Sequence, residues 1–465
     1  MKSKKRIQGK TRVVLTGLCA SVLVSAPACN AAVYGSAAPH DLGIQPFHLP
    51  EENKSGEDLS TLRVVGDESN QDETANPNNT LRYKLLEARL NLETGRIYDA
   101  TKQLNTWLEQ PEYKDNSELL GFTANAENFG GNWPYATELL EKAHTLAPEN
   151  QDVTDLLDDI RRTDAQNVHI GYDWIKYGHS LEDIITVGGF VNAPNHLQFG
   201  GEIKENYTMG RSLRLSNGNV GDANANRMQG EVYGEYSVQN GQRIKGAIFG
   251  NNDTAGVGGY YGFLNPLGRT TLSAEYHRPY WDIPEGVLDQ TTRDRIEVDH
   301  VVKPNNKLTF EGDIAANRYN VEQETNVAES ISGDFNVVYR LFDEVKYHKP
   351  FLDLGYNIDA EYMRSQKDSI DSDGELTHIF PLFSRQIHTP FAEVGYDFNP
   401  STYGTATAGY EFDMLSNNSG PALSAKIDHE LNNAFDVEAH ASYGLDSANS
   451  ASTITTLGGS LRYRF

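Results

Sequence analysis

Leu457-Gly458-Gly459-Ser460-Leu461-Arg462-Tyr463-Arg464-Phe465 closes the chain. Leu457, Leu461, Tyr463 and Phe465 share one parity, and Thr456, Ser460, Arg462 and Arg464 share the other. Side chains alternate across a strand with period two, so this segment has an apolar face ending in an aromatic and a polar face. A membrane β-barrel needs that arrangement, with apolar side chains toward lipid and polar ones toward a lumen. Upstream segments repeat it. Phe435, Val437, Ala439, Ala441 and Tyr443 alternate with Asp436, Glu438, His440 and Ser442. Leu423, Ala425, Ile427 and Leu431 alternate with Ser424, Lys426, Asp428 and Glu430, His429 being the one polar residue on the apolar parity. Ala406, Ala408, Tyr410, Phe412 and Met414 alternate with Thr407, Gly409, Glu411 and Asp413.

Period two holds from about residue 166 onward, punctuated by turn signals such as Lys303-Pro304-Asn305-Asn306, Asn399-Pro400-Ser401 and Ser416-Asn417-Asn418-Ser419-Gly420. Polar stretches at 209–226, 279–290 and 366–376 read as longer, extracellular loops. The spacing predicts an antiparallel transmembrane barrel over 164–465 with about sixteen strands, fourteen being the alternative. A soluble sandwich would need these apolar faces packed on one another, and would not explain the many aromatics that flank turns.

Composition agrees with a barrel. Mean hydropathy is -0.55 and 38% of the 465 residues are hydrophobic, as expected when half of each strand faces water. No stretch beyond the N-terminus offers the roughly 18 apolar residues of a membrane helix. The 41 Gly and 24 Tyr suit tilted strands and interfacial aromatic girdles. A formal charge of -25 argues against nucleic acid as a partner, since phosphates are repelled.

The N-terminus reads as a secretion signal over 1–31: Lys2, Lys4, Lys5, Arg6, Lys10 and Arg12, then an apolar core Val13–Ala26, then Ala26-Pro27-Ala28. Cys29 follows directly, leaving a lipidated N-terminus open beside ordinary cleavage at Ala28 or slightly later. With Cys19 removed, no internal disulfide is available. Residues 32–77, acidic and rich in Gly, Pro, Ser and Asn, read as a flexible linker.

Residues 78–163 switch to helical period. Ala88, Gly95, Ala100 and Leu104 recur 36 residues later as Ala124, Gly131, Ala136 and Leu140. Small residues let paired helices approach, the glycine turns between them, and Pro148 stops the second unit. Val153–Ile160 reads as a capping helix. The unit resembles the tetratricopeptide repeat, slightly long. The predicted fold class is therefore α+β multidomain: a small tetratricopeptide-like α-solenoid followed by the barrel.

Charge on the polar face points to cargo. From residue 165 onward, 40 Asp and Glu face 23 Lys and Arg, about -17. Candidate lumen residues are Glu231, Glu235, Glu275, Arg278, Arg293, Arg295, Glu297, Asp299, Glu311, Asp313, Asp353, Asp359, Glu361, Glu411 and Asp413. A lumen of one sign attracts the opposite charge, so a neutral or cationic polymer is favoured over an anionic one. The alternative is that the acids merely solvate a wet interior. Tyr280, Trp281 and Asp282, with Arg318 and Tyr319, mix aromatics with polar groups, as sugar binding requires. No Gly-x-Ser-x-Gly elbow, His-Glu-x-x-His or phosphate loop occurs, so neither an enzyme nor a cofactor or metal is expected.

Signal, repeat helices and barrel together resemble the outer-membrane exopolysaccharide export porins for Pel, poly-N-acetylglucosamine and cellulose. Arg278-Pro279-Tyr280-Trp281-Asp282, Thr292-Arg293-Asp294-Arg295 and Asn317-Arg318-Tyr319 are similar to the barrels of the first two classes. The resemblance implies export of an exopolysaccharide for a biofilm matrix, a partly deacetylated amino-sugar polymer fitting the acidic lumen. It implies an outer-membrane barrel, and periplasmic repeats that dock polysaccharide synthesis or modification proteins. Only about two repeats are recognisable, where such porins carry many. The chain is also similar to surface-lipoprotein assembly modifiers, which translocate protein, and a general diffusion porin is a third reading.

Overall fold

The computed structural model describes residues 77–163, 165–305, 307–322, 324–342, 350–371, 374–399, 401–432, 434–446 and 452–465. The expected signal over 1–31 with Cys29, and the expected linker except Pro77, lie outside them. Five helices come first: α1 (Pro77–Glu93), α2 (Ile97–Leu108), α3 (Ser117–Phe129), α4 (Trp133–Leu146) and α5 (Gln151–Thr163). Ala88, Ala100, Ala124 and Ala136 are all fully buried, where a larger side chain would push the helices apart. Asn116 caps α3 by accepting the Leu119 N–H at 2.9 Å. Gly131 occupies the α3–α4 turn, and Pro148 follows α4, where it cannot continue the helix. Leu85, Leu104, Phe122, Leu140 and Ile160 fill one core.

The chain then closes into an antiparallel barrel of sixteen strands. They are β1 (Asn167–Tyr177), β2 (Ser180–Ala193), β3 (Leu197–Arg214), β4 (Val220–Val238), β5 (Gln242–Asn251), β6 (Ala255–Asn265) and β7 (Gly268–Pro279). The short helix α6 (Pro284–Leu288) precedes β8 (Thr292–Val302), β9 (Leu308–Val321), β10 (Glu324–Phe342) and β11 (Phe351–Gln366). β12 (Asp368–Ile370) and β13 (Leu376–His378) form a separate hairpin. β14 (Arg385–Asn399), β15 (Thr402–Asp413), β16 (Ser419–Asn432), β17 (Phe435–Leu445) and β18 (Thr453–Arg464) complete the wall. β18 pairs β1 from Asn167–Arg464 to Tyr177–Ile454, so no edge remains.

Large apolar side chains face outward: Ile314 is 69% exposed, Ile296 68% and Ile248 60%. Acids and amides face inward. That inversion of a soluble protein suits only a hydrocarbon surround, so the barrel spans a membrane. The stretch 209–226 departs from expectation: β3 runs to Arg214 and β4 begins at Val220. Asp222, Asn224 and Asn226 occupy the outward parity there. Strand pairing continues past the apolar band, where no hydrophobic alternation marks it.

The helices sit on one end of the barrel, at the turns that join β2 to β3, β4 to β5, β6 to β7 and β8 to β9. Trp133 meets Phe190, with centroids 6.5 Å apart. Glu138 pairs His196 at 2.6 Å. Arg162 at the end of α5 reaches Glu430 on β16 at 3.7 Å. Gly95, in the α1–α2 turn at φ 78°, lies against the β8–β9 turn, and an added Cβ would stand 1.6 Å from the Lys303 carbonyl oxygen. Gly95→Ala is expected to lift this turn off the barrel, the left-handed backbone alone costing about 1–2 kcal/mol. Faster proteolysis at 303–307 would register it.

Candidate functional site

The inner wall divides by charge balance. On β3 to β8, carboxylates and cations neutralise one another. Glu231 pairs Lys245 at 3.0 Å and Arg278 at 2.9 Å. Arg278 also pairs Glu275, Arg243 pairs Glu235, and Arg295 pairs Glu297. Tyr260 donates to Glu235. These line a cavity of about 1430 Å³. On β8 to β15 the balance fails. Asp353 pairs Arg340 at 2.9 Å, and Asp359 and Glu361 share Arg385 at 3.1 and 2.6 Å. Asp299, Glu311, Asp334, Glu393 and Glu411, among the described residues, have no cation within salt-bridge distance, and all five line a second cavity of about 320 Å³. Among the described residues, Arg295 is the one cation at salt-bridge distance from Asp313, at 3.4 Å.

Two expected residues sit elsewhere. Arg318 falls on the outward parity of β9, where it meets Glu329 on β10 at 3.6 Å, because its neighbour Tyr319 points inward. Asp413 ends β15 and accepts the Gln386 and Leu415 N–H groups at 3.1 and 3.0 Å, which caps a turn. Asp334 and Arg385 were absent from the expected set. Asp334 was legible from Ser330, Ser332, Asp334 and Asn336 alternating with Ile331, Gly333, Phe335 and Val337 on β10. Arg385 had no alternation before it to mark a strand.

At the end away from the helices, two loops fold into the bore. Residues 280–291, including α6, cross it to pack against β2, β3 and β4. Residues 379–384 descend beside them. Tyr280, Ile283, Tyr319, Phe380 and Leu382 form an apolar core there, each at most 5% exposed. Tyr280 sits edge-on to Tyr319, with centroids 5.0 Å apart, and to Phe380 at 6.1 Å. Arg293 covers the Tyr280 ring at 5.0 Å, and its guanidinium lies 4.0 Å from the Asp282 carboxylate. Asp289 accepts the Ser216 N–H and hydroxyl, both at 2.8 Å. Glu361 ties the core to the wall, accepting from the Tyr319 and Ser330 hydroxyls at 2.7 and 2.6 Å. Side chains this apolar and this buried inside a water-lined barrel form a plug. The stretch 279–290, expected as an external loop, is an inward one for that reason.

At the other end, Glu127 of α3 is fully buried. Its carboxylate accepts the N–H groups of Asn240 and Gly241 at 3.0 and 3.2 Å, and the side-chain amides of Asn105 and Asn132 at 2.6 and 2.8 Å. Asn240 and Gly241 hold φ of 62° and 67°, the tight hairpin geometry that joins β4 to β5. One carboxylate thus locks helices onto barrel. Burial pushes the Glu127 carboxyl above its ordinary 4.5, against the pull of the four donors. The docked state therefore binds the proton more tightly than the undocked one. Docking is expected to be strongest below about 4.5 and to weaken as pH rises through the raised value. Limited proteolysis of the 163–167 connection across that range would follow it, and Glu127→Gln should flatten the profile.

Among the described residues, no group of three His, Cys, Asp or Glu is placed to hold a metal ion. No family model matches the chain, and no curated protein matches it significantly. Solved structures similar to it are barrels. A bacterial polysaccharide outer membrane secretin is 11% identical over 65% of this chain and 98% of its own, with a TM-score of 0.47. The NanC porin is 7% identical over 64% and 100%, at 0.27. CdiB from Acinetobacter baumannii is 12% identical over 64% and 60%, at 0.33. Likeness at that level carries nothing about cargo.

Proposed function

We propose that the chain is an outer-membrane porin of a Gram-negative bacterium that exports an exopolysaccharide, neutral or cationic, from the periplasm. In this reading 1–31 is a secretion signal, 32–77 a tether, and the helices lie in the periplasm, where they dock synthesis or modification proteins. One observation carries it: a plugged sixteen-stranded bore whose unpaired inward charges among the described residues include five carboxylates. Phosphorylated or uronic polymers would be repelled along that wall. A diffusion porin is disfavoured by the plug, which small solutes would have to displace at every passage.

The test is secretion by a strain lacking the gene, complemented with the full chain or with a variant deleted for 79–163. The strain should lose extracellular polysaccharide and the full chain should restore it. The deletion variant should insert as a barrel without restoring it. Normal polysaccharide in the null strain, together with loss of a surface lipoprotein, would replace this reading with protein translocation.

A further inference from the structure

The stack of helices has unlike ends. At its last helix, α5 buries Val153, Leu156, Leu157 and Ile160 in the shared core and shows Gln151, Asp155, Asp158 and Arg161 to solvent. A polar outer face of this kind caps a repeat array. At the first helix, α1 buries Leu81, Leu85, Ala88 and Leu92 in the same core. Its outer face is apolar as well: Tyr83 is 75% exposed, Leu86 43% and Leu90 59%. Spacings of three and four residues set these on one stripe, about two turns long. Side chains so spaced form the ridges that seat in the grooves of a second helix.

The repeat register indicates what belongs on that stripe. Adding the 36-residue period takes Tyr83, Leu86 and Leu90 to Leu119, Phe122 and Ala126. Those three are 0, 1 and 0% exposed, in the helical core, on a helix that packs against the unit before it. In that contact the Thr101 hydroxyl of α2 donates to the Ala126 carbonyl at 3.4 Å. Positions sealed in the second unit are therefore bare in the first, among the described residues. A repeat unit cannot bury its apolar face alone, and a neighbouring unit does so. Two occupants from within are disfavoured. Residues 32–76 carry Gly, Pro and many acids, with no sustained helical period. A second copy stacked head to tail would have to offer α5, whose outer face is polar.

We propose that Tyr83, Leu86 and Leu90 form a docking face for a second helical-repeat protein, whose terminal helix pair, apolar on its trailing side, stacks on α1 and continues the array. The face is read from the repeat register; that its partner serves polymer export rests on the function proposed above. The test puts p-benzoylphenylalanine in place of Tyr83 in the full chain, illuminates the producing cells and sequences the cross-linked peptides by mass spectrometry. The adduct should map to an end helix of a second protein built from helix pairs. The same probe in place of Asp158, at the capped end, should give little or none. Leu86→Ala/Leu90→Ala, which keeps helix propensity, should cut the Tyr83-site adduct roughly tenfold, and Leu86→Glu/Leu90→Glu further, with protease resistance of the helices unchanged. An adduct with residues 32–76, with another copy of this chain or with a protein lacking helical repeats would overturn the face, as would no adduct or equal yields from the two ends. A repeat-protein adduct in a host whose extracellular polysaccharide survives loss of the gene would uphold the face and remove export. Polysaccharide lost with the gene, but no adduct, would do the reverse.

Discussion

Deletion of Trp281–Gln290, with Tyr280 joined to Thr291 through two glycines, is expected to turn a low, intermittent bilayer conductance into a steady open one. The Tyr280 N–H already donates to the Thr291 carbonyl at 2.8 Å, so the two ends stand at hairpin distance and the short turn strains neither strand. The excised stretch holds Ile283 and Val287, only 3% and 0% exposed, and Asp289, which ties the loop to Ser216. Without it, Tyr280 and Phe380 lose much of the packing that keeps them in the bore. Sixteen strands otherwise enclose an aqueous channel, so the gain should be severalfold. Single-channel recording of both chains would measure it. Identical conductance would mean that the barrier to ions lies elsewhere.

The largest loss of stability is expected at Arg385, which is 8% exposed and serves both Asp359 and Glu361. Arg385→Ala leaves Glu361, 3% exposed, with only the Tyr319 and Ser330 hydroxyls, and leaves Asp359 beside Asp334. Stranding buried charge in this way costs about 3–5 kcal/mol. The temperature at which the barrel loses its fast electrophoretic mobility in detergent should fall accordingly. The triple variant Arg385→Met, Asp359→Asn, Glu361→Gln should recover most of it, because no charge is then left unpaired. If the single and triple variants fall alike, packing rather than charge governs this site.

The barrel was legible because lipid imposes a strict alternation. Leu457 to Phe465 is enough to set parity, and one apolar band must recur on every strand. The helical units were legible for a similar reason, since Ala88 and Ala124 admit no larger side chain. Where water meets both faces, the signal fails. Asp222, Asn224 and Asn226 sit on a strand that reads as loop. Arg318 was assigned inward from its neighbours in sequence, although parity with Tyr319 places it outside. The plug was illegible for a different reason. Tyr280, Trp281 and Ile283 look the same in a loop that folds outward or inward, and only Phe380 and Leu382, a hundred residues on, decide between the two. Glu127 is also silent in sequence, because its partners Asn240 and Gly241 are brought to it by the closed barrel.

The attachments of the helices run from Arg162 on Glu430, past His196, Asn240 and Gly131 beside Arg269, to Gly95 on Lys303. They follow the rim from β16 through β1 to β9, so the domain is anchored off axis. The opposite arc, β10 to β15, belongs to the wall with the unneutralised carboxylates. A threadlike cargo guided past the helices would consequently be fed in eccentrically, sliding along its attractive side from the first residue inserted. Directional loading would then be a matter of where the anchor points fall, with no moving part required.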